Sequence, residues 1–350
     1  NDAIIYSPFL EMSLGRLRPG QQLRVRTLDP ASLTTSEVLV EATGHEKLMV
    51  MGAEKLATVL EMDFQGMQTK AWVDADGQML KQETPFGWTM EACSADEAMA
   101  LDIEKGAAQV DMLRAMAVPV KGDIRQPRTC RELRIRFSGA AIPTNELASD
   151  RQVVESVEGH DVILTSRAGR MPPRGTAIGV VPPEFEKYLG ATMFIQSDHP
   201  DIVREAARIT KGITDSAAAA RAIHDWVYRS VLKKPTVSLP SALDVLHRME
   251  GDCNEHTYLY VGLARAAGLP AKVRVGLIYN DGAFYYHAWP AVFVGRWIEV
   301  DPTLGQQEVD ATHIGVLDGE LEDQLRLLGL FGNLSAEILS ENGQPVEKTR

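Results

Sequence analysis

Cys253, His287 and Asp301 are the residues of this 350-residue sequence whose types and order could do chemistry. The cysteine stands in Gly251-Asp252-Cys253-Asn254-Glu255-His256, the histidine in Phe284-Tyr285-Tyr286-His287-Ala288-Trp289, and the aspartate in Trp297-Ile298-Glu299-Val300-Asp301-Pro302. A thiol nucleophile needs such a set: a thiolate, a base to make it, and a carboxylate to orient the base. Cys253 would attack a carboxamide or peptide carbonyl, His287 would take and return the proton, and Asp301 would hold the imidazole. The main-chain N–H of Cys253 would form part of the oxyanion hole.

The elements around the three residues follow from local pattern. Leu259, Gly262, Leu263 and Ala266 recur at helical spacing after Cys253, and Gly268 with Pro270 stops the run. Cys253 therefore falls in a first turn, where unpaired N–H groups and the helix dipole favour a thiolate. Gly262, Ala264, Ala266 and Ala267 would let that helix lie close against a sheet. Ala271–Tyr279 and Phe284–Val294 read as strands joined by the turn signal Asn280-Asp281-Gly282, and Trp297–Val300 as a third. Asp301 is 301 − 287 = 14 residues past His287. The even separation puts both on one face only if the loop is centred on a residue such as Gly295; a strict two-residue loop would separate them.

These motifs, with Arg265-Ala266-Ala267-Gly268-Leu269-Pro270-Ala271 between them and Thr303 after them, resemble the transglutaminase-like superfamily over about residues 200–340. The resemblance implies a papain-like α+β core with an antiparallel sheet, and Cys253, His287 and Asp301 as nucleophile, base and orienting acid. It covers proteases, amidases, cross-linking transglutaminases and inactive relatives. One position departs from the pattern. Many relatives carry an acid two residues after the Trp of the His motif, and this chain has Trp289-Pro290-Ala291.

Plainer readings exist for each residue. Cys253 could be an ordinary buried thiol, His287 a satisfied core histidine, and Asp301 a turn former before proline. Cys253 and His256, three apart on one helix face, could also join His287 and Asp301 around a metal ion. The expectation is no metal and no cofactor, with His256 packing or hydrogen-bonding behind the nucleophile.

The chain is long enough for two or three domains, and 45% hydrophobic residues can fill sizeable cores. A net charge of −12 without a basic cluster argues against nucleic acid as a partner. No window of about 18 apolar residues supplies a membrane span. The sequence starts at Asn1 rather than Met, and a signal peptide removed before it would make the protein periplasmic or secreted. Cys93 and Cys130 would then be free to pair; three free thiols is the alternative.

Residues 1–112 read as an antiparallel β-rich domain: alternation at Leu23–Arg26, short runs at Val38–Val40 and Val59–Met62, and a hairpin at Met67–Thr84. A capped helix is expected over Ser94–Lys105. Phe64, Trp72, Phe86 and Trp88 are read as core aromatics. Residues 113–190 read as a second β unit and linker, with strands at Leu133–Phe137, Val153–Val157 and Val162–Thr165. Residues 191–350 form the catalytic domain: helices from Pro200, capped by Asp215 and by Ser241, then the Cys253 helix, the strands, an acidic helix over Leu317–Leu328 and a last strand at Ser335–Leu339. The expected protein is thus a multidomain α+β thiol enzyme acting on a peptide or protein substrate by hydrolysis or transfer. The alternative is a non-catalytic scaffold with a relic core, whose N-terminal sheet engages a protein partner.

Overall fold

The computed structural model describes residues 14–28, 35–64, 67–83, 89–100, 117–140, 142–234, 241–320, 323–324, 327 and 333–346. The chain divides into two compact units, Asn1–Met116 and Ala117–Arg350. Among the described residues no helix is long and apolar enough to cross a membrane.

The first unit is an antiparallel meander: β1 (Gln22–Leu28), β2 (Thr35–Val50), β3 (Ala53–Phe64), β4 (Met67–Val73), β5 (Met79–Glu83) and β6 (Thr89–Glu91) pair in chain order. The short runs expected at residues 38–40 and 59–62 are pieces of two long strands. Met51-Gly52 joins them, with both residues at positive φ (50° and 75°). Methionine in the first turn position hides the hairpin from sequence rules, which look for Asn or Asp there. Period two splits the apolar residues between faces: Val40, Ala42, Leu60, Ala71 and Val73 on one, Val50, Ala57, Val59, Trp72 and Leu80 on the other. Trp72 is core as expected; the side chains of Phe64, Phe86 and Trp88 lie outside the described residues. The helix α1 (Ala95–Ala100) opens with a capping box in which Ser94 N–H donates to Glu97 Oε2 at 2.8 Å and Glu97 N–H to Ser94 Oγ at 3.2 Å. The rest of the expected helix falls outside the described residues.

The second unit is built on one ten-stranded sheet. Its strands are β7 (Val118–Lys121), β8 (Glu132–Ser138), β9 (Gln152–Glu158), β10 (Asp161–Arg167), β13 (Ala271–Asn280), β14 (Ala283–Phe293), β15 (Trp297–Glu299), β16 (Ile314–Asp318), β17 (Ser335–Glu341) and β18 (Gln344–Pro345). The order is β16-β13-β14-β7-β17-β8-β10-β9, with β15 on β14 and β18 on β17. All pairs are antiparallel except β7 with β17. The strands expected as a separate unit over 113–190 lie in this same sheet, because β17 returns from the C-terminus to pair with both β7 and β8. Long-range pairing of this kind leaves no local signal.

A short turn, α2 (Thr144–Leu147), precedes β9. The helices α3 (Pro200–Ile209) and α4 (Ser216–Ser230) start at caps: Asp215 accepts the Ala218 N–H at 2.8 Å. Ser241 caps α5 (Ala242–Arg248), and α6 (Cys253–Ala266) follows; β11 (Leu232–Lys233) and β12 (Glu250–Gly251) form a small parallel pair beside it. Every residue from Glu255 to Arg265 is buried, so α6 is enclosed on all sides and shows little amphipathic stripe. Gly262 was expected to face a sheet. A Cβ there would meet Ala242 at 3.1 Å and Ile195 and Ile202 at 3.7 and 3.9 Å, so it admits the neighbouring helices instead.

The acidic helix expected from Leu317 is corrected at its start. Ile314–Asp318 is β16, an edge strand on β13 with a register shift between Val275 and Gly276. Gly276 permits it: a Cβ there would stand 2.0 Å from the Ile314 carbonyl oxygen. Backbone cannot yield like a flexible side chain. Gly276→Ala is therefore expected to cost about 2–3 kcal/mol, the upper range for overpacking. Thermal melts of the two proteins by circular dichroism check this, and equal midpoints would contradict the close approach.

Candidate active site

The start of α6 is fixed by its own sequence. Asp252 accepts the Asn254 N–H at 3.0 Å, and Glu255 Oε2 accepts the Asp252 N–H at 3.0 Å. Gly251 leaves room for this box, since a Cβ there would lie 2.2 Å from the Glu255 Cβ. Cys253 is the first helical residue.

Helix α6 meets β14 beside His287. The strand pairs with β7 at Ala283–Phe284 and with β15 at Ala291–Phe293. Between them Ala288 turns both main-chain groups to α6. Its carbonyl accepts from Thr257 Oγ1 at 3.0 Å, and its N–H donates to the Cys253 sulfur. The nucleophile candidate thus contacts the residue next to the base candidate.

The β14–β15 loop settles the question of faces. Phe293 pairs with Trp297, Val292 with Ile298 and Ala291 with Glu299, which centres the loop on Gly295. Gly295 has φ of 97° and closes a three-residue turn in which Val294 N–H reaches Arg296 O at 2.9 Å. Even spacing then carries His287 and Asp301 to one face. His287 Nε2 donates to Asp301 Oδ2 at 2.8 Å. That partner assigns the Nε2–H tautomer.

Asp301 is fully buried and over-determined. Its main chain bridges Gln306 in both directions, at 2.7 and 2.8 Å, and its carbonyl faces His224 Nε2 at 3.2 Å. Oδ1 accepts the Thr303 and Leu304 N–H groups at 2.7 and 3.0 Å. Burial pushes its carboxyl up, but the charges and hydrogen bonds of His287 and His313 outweigh this and hold it well below the usual carboxylate range.

The thiol goes the other way from the sequence expectation. Burial pushes Cys253 well above an ordinary thiol, and the Asp252 carboxylate adds to this; the Ala288 N–H opposes. The helix start that was expected to favour a thiolate needs an acidic cap, and the cap puts a negative charge beside the sulfur. Around it, Tyr286 Oη donates to Gln324 Oε1 at 2.7 Å and lies 3.3 Å from Asn254 Oδ1, while Gln324 Nε2 donates to Tyr258 Oη at 3.2 Å.

Two partners were missed in the sequence. His313 Nε2 lies 3.1 Å from the same Asp301 Oδ2. Glu299 takes the Trp289 Nε1–H at 2.7 Å and pairs with Arg151 at 2.6 Å and Arg274 at 3.7 Å. Glu299 lies directly across the ladder from Ala291, the position where relatives carry an acid. Only cross-strand register reveals that a carboxylate is supplied there from the next strand.

The metal reading finds a different set. The ligand atoms of His287, Asp301 and His313 lie within 4.8 Å of one another, and Cys253 and His256 do not join them. His256 is buried, with Nδ1 2.7 Å from the Asp252 carbonyl, and burial pushes its pKa down. All three cysteines are free: Cys93 is exposed, Cys130 buried, and burial pushes the Cys130 thiol up to about 12.

Residues 204–302 match the family model of the Transglutaminase-like superfamily, so the second unit carries a transglutaminase-like core. No curated protein matches the chain. A candidate cysteine protease from Cytophaga hutchinsonii is similar in structure, at 15% identity and a TM-score of 0.44, over 63% of this chain and 90% of that one. The periplasmic domain of TgpA from Pseudomonas aeruginosa is similar at 15% identity and a TM-score of 0.31, over 51% of this chain and 88% of that one.

Proposed function

We propose that the transglutaminase-like core works as a thiol enzyme on a carboxamide or peptide bond, with Cys253 as nucleophile, His287 as base and Asp301 as its positioning residue. The 2.8 Å bond between buried His287 and Asp301, one residue from the strand contact of Cys253, is the observation that most supports this. In the first step the Cys253 sulfur attacks the carbonyl carbon while its proton passes to His287 Nδ1. The Asp301 carboxylate stabilises the imidazolium. The oxyanion meets the main-chain N–H of Cys253 at the start of α6. The imidazolium then protonates the departing amine, leaving a thioester on Cys253. Water or an amine takes the acyl group in a second step, giving hydrolysis or transfer.

The test is trapping. The protein is incubated with peptide pools, quenched in acid, and digested for mass spectrometry of the Cys253 peptide. An acyl adduct on Cys253, lost in Cys253→Ala and His287→Ala, is expected. Pools rich in glutamine and pools with free amines then separate transfer from hydrolysis. Unmodified Cys253 across all pools would favour the scaffold reading.

A further inference from the structure

A cavity of about 550 Å³ lies over one cross-strand row of the second unit: Lys272 on β13, Ala291 on β14 and Glu299 on β15. That volume is within the range of small-molecule sites. Cys253, His287 and Asp301 do not line it, and no step above uses it.

The lining runs against the charge of the chain. Six cationic side chains line it against four acidic ones, an excess of two positive charges in a chain of net charge −12. The buried part is matched internally. Glu299 pairs with Arg151 and Arg274 at 2.6 and 3.7 Å, and Asp318 with Lys272 and Arg274 at 2.6 and 2.9 Å. This lattice holds the two buried guanidinium groups in place, yet Arg151 Nε and Arg274 Nε and Nη2 find no hydrogen-bond acceptor in the protein.

The excess sits on exposed arginines. Arg167 pairs with Glu132 at 3.0 Å, but both side chains are about half exposed and solvent screens the pair. Arg170 and Arg296 are exposed and have no acid partner among the described residues. Arg296 Nη2 donates to the Arg170 carbonyl at 2.8 Å, which ties the β14–β15 turn to the segment after β10. The two remaining acids, Glu146 and Asp150, come from α2 and the turn into β9. Cations gathered at one cavity repel one another, and an anion among them removes that cost. Guanidinium forks also match carboxylate and phosphate oxygens in pairs.

We propose that this cavity binds a small polyanion, a molecule carrying two or more carboxylate or phosphate groups, with Arg167, Arg170 and Arg296 as its cationic contacts. The proposal is independent of the thiol-enzyme reading.

The experiment is isothermal titration calorimetry of the full chain with citrate and with inorganic pyrophosphate, at constant ionic strength. The variants are Arg170→Ser with Arg296→Ser and, as a control of equal charge, Arg204→Ser with Arg229→Ser, two exposed arginines that do not line the cavity. Wild type is expected to bind one molecule per chain. The Arg170 and Arg296 variant should bind about tenfold more weakly or less, and the control should match wild type. Ala148→Glu is a second variant: it adds a negative charge at an exposed lining position, removes no partner, and should weaken binding as well. Binding of citrate alone marks a polycarboxylate ligand, of pyrophosphate alone a phosphorylated one, and of both a site that reads charge. No saturable binding of either probe up to about 10 mM overturns the proposal. So does equal weakening in the control, or wild-type binding in folded Ala148→Glu and in the folded Arg170 and Arg296 variant.

Discussion

Asp301→Asn is expected to slow acylation of Cys253 by about three to four orders of magnitude while the protein stays folded. The reason is hydrogen-bond direction. Oδ1 accepts two main-chain N–H groups, from Thr303 and Leu304, and Oδ2 accepts from two imidazoles. Asparagine has one acceptor oxygen and one NH2 group that only donates. If the oxygen keeps the main-chain bonds, the NH2 faces His287 Nε2 and forces the proton onto Nδ1. The base is then blocked toward the thiol. If the amide turns over, two main-chain donors face a donor, which costs stability. Rates of adduct formation with the peptide that traps wild type, measured beside a thermal melt, check this. Wild-type rates in a folded Asp301→Asn protein would remove the carboxylate from the mechanism.

Glu299→Ala should cost about 3–5 kcal/mol, because it leaves Arg151 buried without its acid and leaves Arg274 with Asp318 alone, at 2.9 Å. Both arginines are nearly closed off, at 8% and 5% exposure, and Glu299 holds them and the Trp289 N–H together. The same group gives an acid signature. Burial pushes its carboxyl up, but Arg151 and Arg274 hold it at about 2, against an ordinary 4.5. A depressed folded-state pKa contributes stability that is present above the unfolded value and lost as pH falls. The stability gap between wild type and Glu299→Gln should therefore be largest above pH 4.5 and narrow as pH drops toward 2. Asp301 and Asp310 are also depressed and steepen the acid loss in both proteins, so the difference between the two proteins is the informative quantity. Urea titrations at several pH values supply it. A gap constant from pH 7 to pH 3 would mean that Glu299 is not ionised in the folded protein.

Spacing of one face and chemistry of caps were legible in the sequence. The helix at Cys253 was readable because Gly251, Asp252 and Glu255 close its first turn locally. The β14 hairpin was readable because Asp281-Gly282 can adopt positive φ. The 14-residue parity between His287 and Asp301 even specified the centre of the next loop, and the register falls on Gly295. A period-two strand lets one number fix a face, so the pair could be named before its distance was known.

Other features depended on contacts that no local pattern encodes. The fully buried helix α6 has no polar face to set its orientation, so Gly262 gave no sign of which neighbours it admits. The balance at the Cys253 thiol was equally hidden: a helix dipole acts within one turn, while desolvation, which pushes the thiol up, depends on everything packed around the sulfur. The sequence alone determined a cysteine, a histidine and an aspartate in order, on a helix start and a strand pair. The tertiary structure decided what surrounds them. His313 and Asp310 lie past Asp301 in the chain, Arg151 lies far before it, and Glu299 meets Trp289 across a ladder. Charges separated by chain and joined by folding interact only once water is excluded between them, and that exclusion is a property of the packed sheet.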